Sequence, residues 1–238
     1  MPPKKKEEPV KKVILGRASN TLSMGLVGLP NVGKSSTYNV LSKLAVPAEN
    51  YPFCTIDPNT AKINIPDKRY DKLIEMYAPK SRVPAQLAIT DIAGLVKGAS
   101  TGAGLGNAFL SHINAVDGIY HVVRAFPNEE VVHEEGDVNP IRDIEIINGE
   151  LIAKDQQHLV KVFDEIQARM KRKKEKRDEE EMELMKRVEE MLKTGQFVKD
   201  GSYSAKEVEM LNKHLFLTSK PVIYLVNIGD AQYVKKQN

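Results

Sequence analysis

The chain has 238 residues, of which 41% are hydrophobic and 28% charged, and its formal net charge is +3 at pH 7. This composition is ordinary for a soluble protein of one large or two small domains, and the net charge does not by itself indicate a polyanion-binding protein. The single cysteine, Cys54, excludes an internal disulfide framework and a metal site built from cysteines. No apolar run is long enough to cross a membrane, and the N-terminus lacks the apolar core of a signal peptide. We therefore expect a cytoplasmic protein with no membrane partner.

The first 20 residues are rich in lysine, proline and glutamate, a composition that predicts a disordered basic tail. Its lysine run, residues 4–6, is compatible with nuclear import or a nucleic-acid contact, although a solvated tail is the preferred interpretation.

A phosphate-binding motif follows the tail. Residues 28–35 read GLPNVGKS and fit Gly-x-x-x-x-Gly-Lys-Ser, between an apolar strand candidate at 24–27 and a helix candidate at 35–44. Gly28 and Gly33 let the backbone curl so that its N–H groups face phosphate oxygens, and a helix N-terminus adds to this anion site. Lys34 supplies a positive charge to the β- and γ-phosphates, and the Ser35 hydroxyl is a ligand for Mg²⁺. We predict that residues 31–36 contact the nucleotide (Asn31, Val32, Gly33, Lys34, Ser35 and Ser36).

Two later segments complete a predicted magnesium and γ-phosphate site. Thr55 lies in a proline-punctuated loop and is the candidate for a second Mg²⁺ hydroxyl. Residues 61–65 and 86–90 read as strands, and the second ends in Asp91-Ile92-Ala93-Gly94, which fits Asp-x-x-Gly. Asp91 would hold Mg²⁺ through water, and Gly94 would offer its N–H to the γ-phosphate. The segment 94–106 contains five glycines, which favours a mobile loop that orders around a γ-phosphate.

Two histidines have different expected roles. His121 lies inside the apolar strand candidate 118–123, which follows a helix candidate at 109–116, so we expect a core histidine. His133 lies in the polar loop 128–136, where we expect exposure.

The region 141–193 is predicted to be an antiparallel helical hairpin. Asn139 and Pro140 are an N-cap and a first helical residue, and Gly195 can end the second helix. Apolar residues follow a four-three step in each segment (Leu159, Phe163, Ile166 and Met170, then Leu184, Val188 and Met191). The tip, residues 169–177, has seven basic residues and one acidic residue, which suits an RNA or ribosome contact. A solvated turn paired with the acidic residues 178–181 is the alternative that we prefer.

The last segments predict a short helix and a buried strand. Ser204 and Glu207 form a capping box, and the strand candidate 221–226 leads into Asn227-Ile228-Gly229-Asp230. GTP-binding proteins have Asn-Lys-x-Asp at this place, and its aspartate reads the guanine edge. The lysine is missing here, but the asparagine and the aspartate are present. Asn227 and Asp230 are therefore the candidate contacts to the base.

The order and wording of these motifs resemble one family. GLPNVGKS, NYPFCTIDPN, DIAGLVKGAS, GLGNAFL, VNPIRDIEIIN and LNKHLFLTSKPVIYLVN closely resemble the Obg-like ATPases, the YchF subfamily of Obg-related P-loop GTPases, over roughly residues 20–230. The opening MPPKK is similar to the eukaryotic branch. The resemblance implies a Ras-like α/β P-loop domain (residues 21–140 and 214–238) interrupted by a helical coiled-coil insertion (141–213). Chains of this family continue into a last strand and helix, a base-binding loop and a TGS domain. We therefore expect a truncated chain with one unpaired sheet edge.

The resemblance also implies chemistry. It implies a preference for ATP over GTP, and Leu95 stands where other GTPases have the water-orienting glutamine. The family's proposed substitute is a histidine on a mobile loop, at the position of His133. Asn31 matches an asparagine that helps to hold K⁺ near the phosphates in related enzymes. Glutamate often stands where this chain has Asp230, so guanine recognition remains open.

Three hypotheses follow from the sequence. The first is a Mg²⁺-dependent ATP hydrolase that acts as a switch on or near ribosomes, as a monomer and without DNA. The second is a nucleotide-dependent module with negligible turnover that presents its basic hairpin to RNA or another partner. The third is a conventional GTPase.

Overall fold

The computed structural model describes residues 15–16, 21–43, 60–92, 94, 98, 111–128, 130–173 and 175–236. In these residues five strands form one mixed sheet in the order β2-β3-β1-β4-β5. Strand β2 is antiparallel to β3, and the other neighbouring pairs are parallel. The strands are β1 (Leu22–Val27), β2 (Thr60–Asn64), β3 (Gln86–Asp91), β4 (Gly118–Arg124) and β5 (Val222–Asn227).

Strands β1 and β4 lie inside the sheet and are mostly buried, because they carry nearly continuous apolar runs, which suits a strand covered on both faces. In the parallel register Leu26 pairs with Asp91 on one side and with Tyr120 on the other. Arg124 pairs with Asn227 in the same way. The carboxyl ends of β1, β3, β4 and β5 therefore meet at one edge of the sheet, where ligands of open α/β sheets bind.

Helices cover the sheet and extend away from it. They are α1 (Lys34–Ser42), α2 (Lys68–Tyr77), α3 (Pro140–Arg172), α4 (Lys176–Lys193), α5 (Ala205–His214) and α6 (Asp230–Lys235), with 3-10 turns at Val198–Asp200 and Leu217–Ser219. Residues 111–115 are also helical. In the described part of the chain, no helix is both long enough and apolar enough to span a membrane.

The long helix α3 begins where its N-terminal signal predicts. The Asn139 side chain accepts a hydrogen bond from the Arg142 N–H, and Pro140 is the first helical residue. Helix α4 ends at Lys193, and Gly195 has a φ of 78°, the left-handed conformation that favours glycine. The capping box of Ser204 and Glu207 at the start of α5 is confirmed as well.

Helices α3 and α4 pack against each other as a hairpin. Its core is formed by the buried residues Leu159, Val162, Ile166, Leu184, Met185 and Val188. The predicted seam is right at Leu159, Ile166, Leu184 and Val188. Phe163, Met170 and Met191 are only partly buried. Another apolar cluster lies between the sheet and its helices, and it includes Ile147 and Leu151 of α3. Helix α3 therefore takes part in both cores.

The predicted α/β P-loop fold is confirmed, and the predicted strands lie within one residue of their observed ends, except that β1 begins at Leu22. The division into a nucleotide domain and an insertion with the boundaries given above stays a prediction. Strand β5 pairs with β4 alone among the described strands, and its residues Ile223, Tyr224 and Val226 are exposed.

Candidate functional site

The loop that follows β1 is tightly fitted to its surroundings. A Cβ atom on Gly28 would lie 2.4 Å from the Val122 carbonyl oxygen, and one on Gly33 would lie 2.4 Å from Asn227 Nδ2. Gly33 also has a φ of 102° and is the N-cap of α1. Gly28 is therefore required by the close approach of backbone, and Gly33 by its left-handed φ and the approach of the Asn227 side chain.

Lys34 is buried at the centre of this loop, with 7% of its surface exposed. Its Nζ donates a hydrogen bond to the Leu29 carbonyl oxygen at 2.7 Å, so the loop curls around the ammonium group. Burial lowers the pKa of Lys34 to about 8, and the nearby negative charge of Asp91 acts in the opposite direction. The site therefore holds a poorly solvated cation that a phosphate group would stabilise.

Ser35 and Asp91 lie side by side, although they are far apart in the sequence. The Ser35 hydroxyl donates to Asp91 Oδ2 at 2.9 Å. The other carboxylate oxygen, Oδ1, is buried and has no hydrogen-bond partner among the described residues. A hydroxyl and a carboxylate oxygen suit Mg²⁺, which binds oxygen ligands and keeps several waters. The residues present therefore fit the predicted magnesium site.

Gly94 lies against the same lysine. A Cβ atom at this position would be 3.2 Å from Lys34 Nζ and 3.1 Å from the Pro30 nitrogen. A side chain at this position would therefore force the ammonium group or the backbone of Pro30 to shift by a few tenths of an ångström. An open cleft of about 430 Å³ runs between these groups and is lined by Pro30, Asn31, Lys34, Ser35, Asp91, Ile92 and Gly94.

The structure thus brings together the residues predicted from the two phosphate motifs. Ser36 is exposed in the first turn of α1, and Val32 is buried beneath the loop. Thr55 and Leu95 lie outside the described residues, so their predicted positions stay predictions. The described residues contain no group of three or more histidine, cysteine, aspartate or glutamate side chains placed to hold a metal ion.

His133 is buried, with 6% of its surface exposed, so the expected exposure is wrong. The Glu135 N–H donates to Nδ1 at 3.1 Å, which leaves the proton on Nε2, and Nε2 then donates to Asp143 Oδ2 at 2.8 Å. Both ring nitrogens are engaged because the loop folds back onto the first turn of α3. In this arrangement neither nitrogen is available to a water molecule, and the predicted role in hydrolysis stays a prediction that requires this loop to move.

Arg124 was not among the predicted site residues, and its side chain shapes the loop that carries His133. The side chain is 1% exposed and donates to the carbonyl oxygens of Phe126, Asn128 and Val131 at 3.2, 3.0 and 2.9 Å. The next carbonyl along, that of Val132, accepts from Asn31 Nδ2 at 3.1 Å. The loop is therefore tied both to the end of β4 and to the phosphate-binding loop.

The segment after β5 braces the phosphate-binding loop. Asn227 Nδ2 donates to the Val32 carbonyl oxygen at 3.0 Å. Asp230 is exposed at the first position of α6. The predicted base-contacting segment thus lies next to the loop, and whether Asp230 reads a base stays a prediction.

His121 is a core residue, as its strand context predicts. It is 2% exposed, its ring centroid lies 5.4 Å from that of Tyr224, and burial lowers its pKa to about 4.

The basic tip of the hairpin is partly neutralised. Arg169 Nε donates to Asp178 at 3.0 Å, and its Nη2 donates to Glu181 at 2.8 Å. Lys173 pairs with Glu175 at 2.8 Å in an exposed position. The pairing with residues 178–181 that the sequence suggested is present at Arg169, whereas Lys171 and Arg172 remain exposed on the last turn of α3.

Comparison with known proteins agrees with this geometry. The profile of the family described as 50S ribosome-binding GTPase matches residues 23–150. Proteins named Obg-like ATPase 1 are similar over the whole chain: 49% identical in Caenorhabditis elegans, 50% in Oryza sativa subsp. indica and 49% in Homo sapiens. The chain spans 60–61% of the length of these relatives.

A solved structure has the same fold. The YchF GTPase of Schizosaccharomyces pombe is 49% identical and superposes with a TM-score of 0.78, over 95% of this chain and 62% of that one. With the matched family profile and the convergent phosphate motifs, these similarities show that the chain belongs to the Obg-like ATPases, the YchF subfamily of P-loop GTPases.

Proposed function

We propose that this chain binds and hydrolyses a nucleoside triphosphate with Mg²⁺ and prefers ATP to GTP. The observation that carries the proposal is the convergence of Lys34, Ser35, Asp91 and Gly94 around one open cleft. A lysine, a hydroxyl next to a carboxylate, and a glycine N–H are the groups that phosphoryl transfer requires, because its catalysis is mostly positioning and charge stabilisation.

Each residue would have a distinct task. The loop N–H groups and Lys34 would hold the β- and γ-phosphates, and the Gly94 N–H would bind the γ-phosphate. Ser35 and Asp91, with Thr55 as the third predicted group, would hold Mg²⁺. When bound, this ion would neutralise charge that develops on the phosphate oxygens. Asn31 lines the cleft and is the candidate for a K⁺ contact.

His133 would position the attacking water only after it leaves its hydrogen bonds with Asp143 and Glu135. The hydrogen bond from Asn31 to Val132 places the neighbouring residue of the same loop against the phosphate-binding loop. The proposed role therefore requires a movement of this loop that turns the imidazole towards the cleft.

The preference for ATP is supported by the altered base-reading segment. Ile228 stands in place of the lysine of Asn-Lys-x-Asp, and Asn227 is engaged with the Val32 carbonyl. The name of the relatives, Obg-like ATPase 1, also favours ATP as the substrate. A GTP preference is the second candidate, because Asp230 is exposed beside the loop and the matched family and the S. pombe protein are described as GTPases.

The proposed setting is the cytoplasm, with the ribosome or its RNA as partner. The matched family is described as ribosome-binding, and the exposed Lys171 and Arg172 at the hairpin tip suit contacts with phosphate groups. The pairing of Arg169 with two carboxylates reduces the charge available there.

The test is ATP turnover by the purified chain with and without Mg²⁺, next to two lysine variants. Lys34→Ala should lose turnover and bind ATP far more weakly. Lys43→Ala is the matched control, because Lys43 is exposed at the end of α1 and should behave like the wild type. Turnover that equals the Lys34→Ala background, or that persists after Mg²⁺ is removed, would overturn the proposal.

A further inference from the structure

A second open cleft, of about 600 Å³, lies between α3, α4 and the C-terminal end of α5. It shares no lining residue with the nucleotide cleft. All ten of the described residues that line it are charged or are histidine. The cleft therefore offers a ligand many ionic contacts and, among the described residues, no apolar side chain.

A hydrogen-bonded network forms the inner side of this cleft. Arg169 Nε donates to Asp178 Oδ1 at 3.0 Å, and its Nη2 donates to Glu181 Oε2 at 2.8 Å. The other carboxylate oxygen of Glu181 accepts from His214 Nε2 at 2.8 Å. The side chains of Asp178, Glu181 and His214 are 12%, 6% and 9% exposed. The network therefore joins the three helices, and its two carboxylates are already engaged.

Three cations border the cleft, one from each helix. They are Arg172 of α3, Arg177 of α4 and Lys213 of α5. All three are exposed, and none forms a salt bridge with another described residue. A negatively charged ligand would therefore meet these cations at the border before it reaches the engaged carboxylates.

The border also carries a carboxylate, Glu165, which is exposed one turn before Arg169 on the same face of α3. A carboxylate disfavours a ligand that is only a polyanion, but it can accept a hydrogen bond from a ribose hydroxyl. The 2′-OH is the group by which proteins distinguish RNA from DNA. Cations beside such an acceptor therefore suit the sugar–phosphate backbone of RNA, because lysine and arginine neutralise its phosphates.

The composition of the cleft argues against two other classes of partner. A helical surface that binds a membrane combines its cations with apolar side chains. Protein–protein interfaces are depleted in charged residues at their buried centre, where aromatic side chains are enriched. None of the described residues that line the cleft is apolar, so neither a membrane nor a protein partner is favoured.

We propose that this cleft binds the sugar–phosphate backbone of RNA, with Arg172, Arg177 and Lys213 on the phosphates and Glu165 on a ribose hydroxyl. The inference rests on the RNA partner of the proposed function and not on the proposed hydrolysis. It also separates the contacts within the exposed tip, because Lys171 is exposed next to Arg172 but does not line the cleft.

The experiment measures binding of the whole chain to a labelled RNA hairpin over a range of KCl concentrations. A DNA hairpin of the same sequence, vesicles that contain phosphatidylserine, and poly-glutamate are the comparison ligands. The variants are Arg172→Ala, Arg177→Ala and Lys213→Ala, singly and combined, and Glu165→Ala. Lys171→Ala is the matched control. Circular dichroism and ATP binding are measured for each variant, to show that the fold and the nucleotide site are intact.

Each of the three cation changes should remove one phosphate contact. It should then weaken RNA binding by about eightfold at about 0.1 M KCl, and it should lower the slope of log affinity against log salt by about 0.9. The combined variant should lose at least about 100-fold in affinity, whereas Lys171→Ala should stay within about twofold of the wild type. Glu165→Ala should reduce the preference for RNA over DNA, and ATP binding should be unchanged throughout.

Several results would overturn the inference. A loss in Lys171→Ala equal to that in Arg172→Ala would show that the charge of the tip acts diffusely and that the cleft is not the site. Equal affinity of the wild type for RNA and DNA would contradict the ribose contact and the assignment of RNA. Binding to the vesicles or to poly-glutamate without binding to RNA would mean that the partner belongs to another class. A chain that hydrolyses ATP but binds no RNA would refute this inference alone among the claims about the two clefts, whereas RNA binding without ATP turnover would refute only the hydrolase proposal.

Discussion

Asp155 is a buried carboxylate of α3 that holds the turn leading into β5. Its oxygens accept from the Leu217 N–H at 2.9 Å, the Thr218 N–H at 2.8 Å and the Thr218 hydroxyl at 2.7 Å. Asp155 is 1% exposed and Thr218 is fully buried. Truncating this side chain should therefore loosen the turn, the start of β5 and the packing of α3 on the sheet.

The expected loss in Asp155→Ala can be worked from these three bonds. The two backbone N–H groups would remain buried without their acceptor, at a cost of about 1–3 kcal/mol each, while the hydroxyl can rotate. Removal of the charge offsets part of this cost, because burial raises the pKa of Asp155 and so disfavours its charged form. We expect a net destabilisation of about 2–4 kcal/mol.

Urea unfolding, followed by circular dichroism, measures this free-energy difference directly. The control is Asp164→Ala, because Asp164 is exposed on the same helix and should change stability by less than about 0.5 kcal/mol. Thr218→Val removes one of the three donors and should cost about 1 kcal/mol. If Asp155→Ala unfolds within error of Asp164→Ala, the three hydrogen bonds do not stabilise the turn and the reasoning is wrong.

Three further predictions concern the nucleotide site. Above pH 8, ATP affinity should fall by up to about tenfold per pH unit, because phosphate binds the protonated Lys34, whose pKa is about 8. In Lys34→Arg, ATP binding should not change over this range, and a wild type equally insensitive to pH would contradict the idea. Arg124→Met leaves three loop carbonyls without their donor, so exchange of the Glu135 amide hydrogen should accelerate by at least about tenfold, and unchanged exchange would contradict it. His133→Ala should lower kcat by about 10²- to 10⁴-fold with ATP affinity intact if this histidine positions water, and unaltered turnover would remove it from the site.

The parts of the molecule that were predictable from the sequence are those with a local signal. The phosphate motif, the strand before Asp91 and the cap at Asn139 each require particular residues at fixed spacing, and each is found where it was predicted. Helix α2 was not predicted, although its sequence carries a local signal: Asp67 is its N-cap, and apolar residues recur at helical spacing (Tyr70, Leu73, Ile74 and Tyr77). No residue of this helix is buried. The antiparallel direction of β2 was not predicted either, because it depends on pairing with β3 rather than on the composition of the strand.

The residues that hold loops in place have only weak local signals. Helical spacing places Glu150 on the face of Ile147 and Leu151, unlike the exposed Glu145, but nothing in the sequence points to its partner, the Gly98 N–H, 52 positions away. Arg124 gave one hint, a charged residue at the end of an apolar strand, but its three acceptors are backbone carbonyls that no side-chain pattern reveals. His133 was wrongly predicted to be exposed, because the sequence does not reveal that its polar loop folds onto Asp143, ten positions away.

Equilibrium binding of ATP and GTP to this chain in Mg²⁺ and K⁺, with Lys34→Ala as the control, tests both the nucleotide site and its base preference. We expect ATP to bind more tightly than GTP and Lys34→Ala to weaken the binding of both. Tighter GTP binding that is lost in Asp230→Ala would show that Asp230 reads guanine and would contradict the proposed preference. Affinities that Lys34→Ala leaves unchanged would contradict the assignment of the nucleotide site itself.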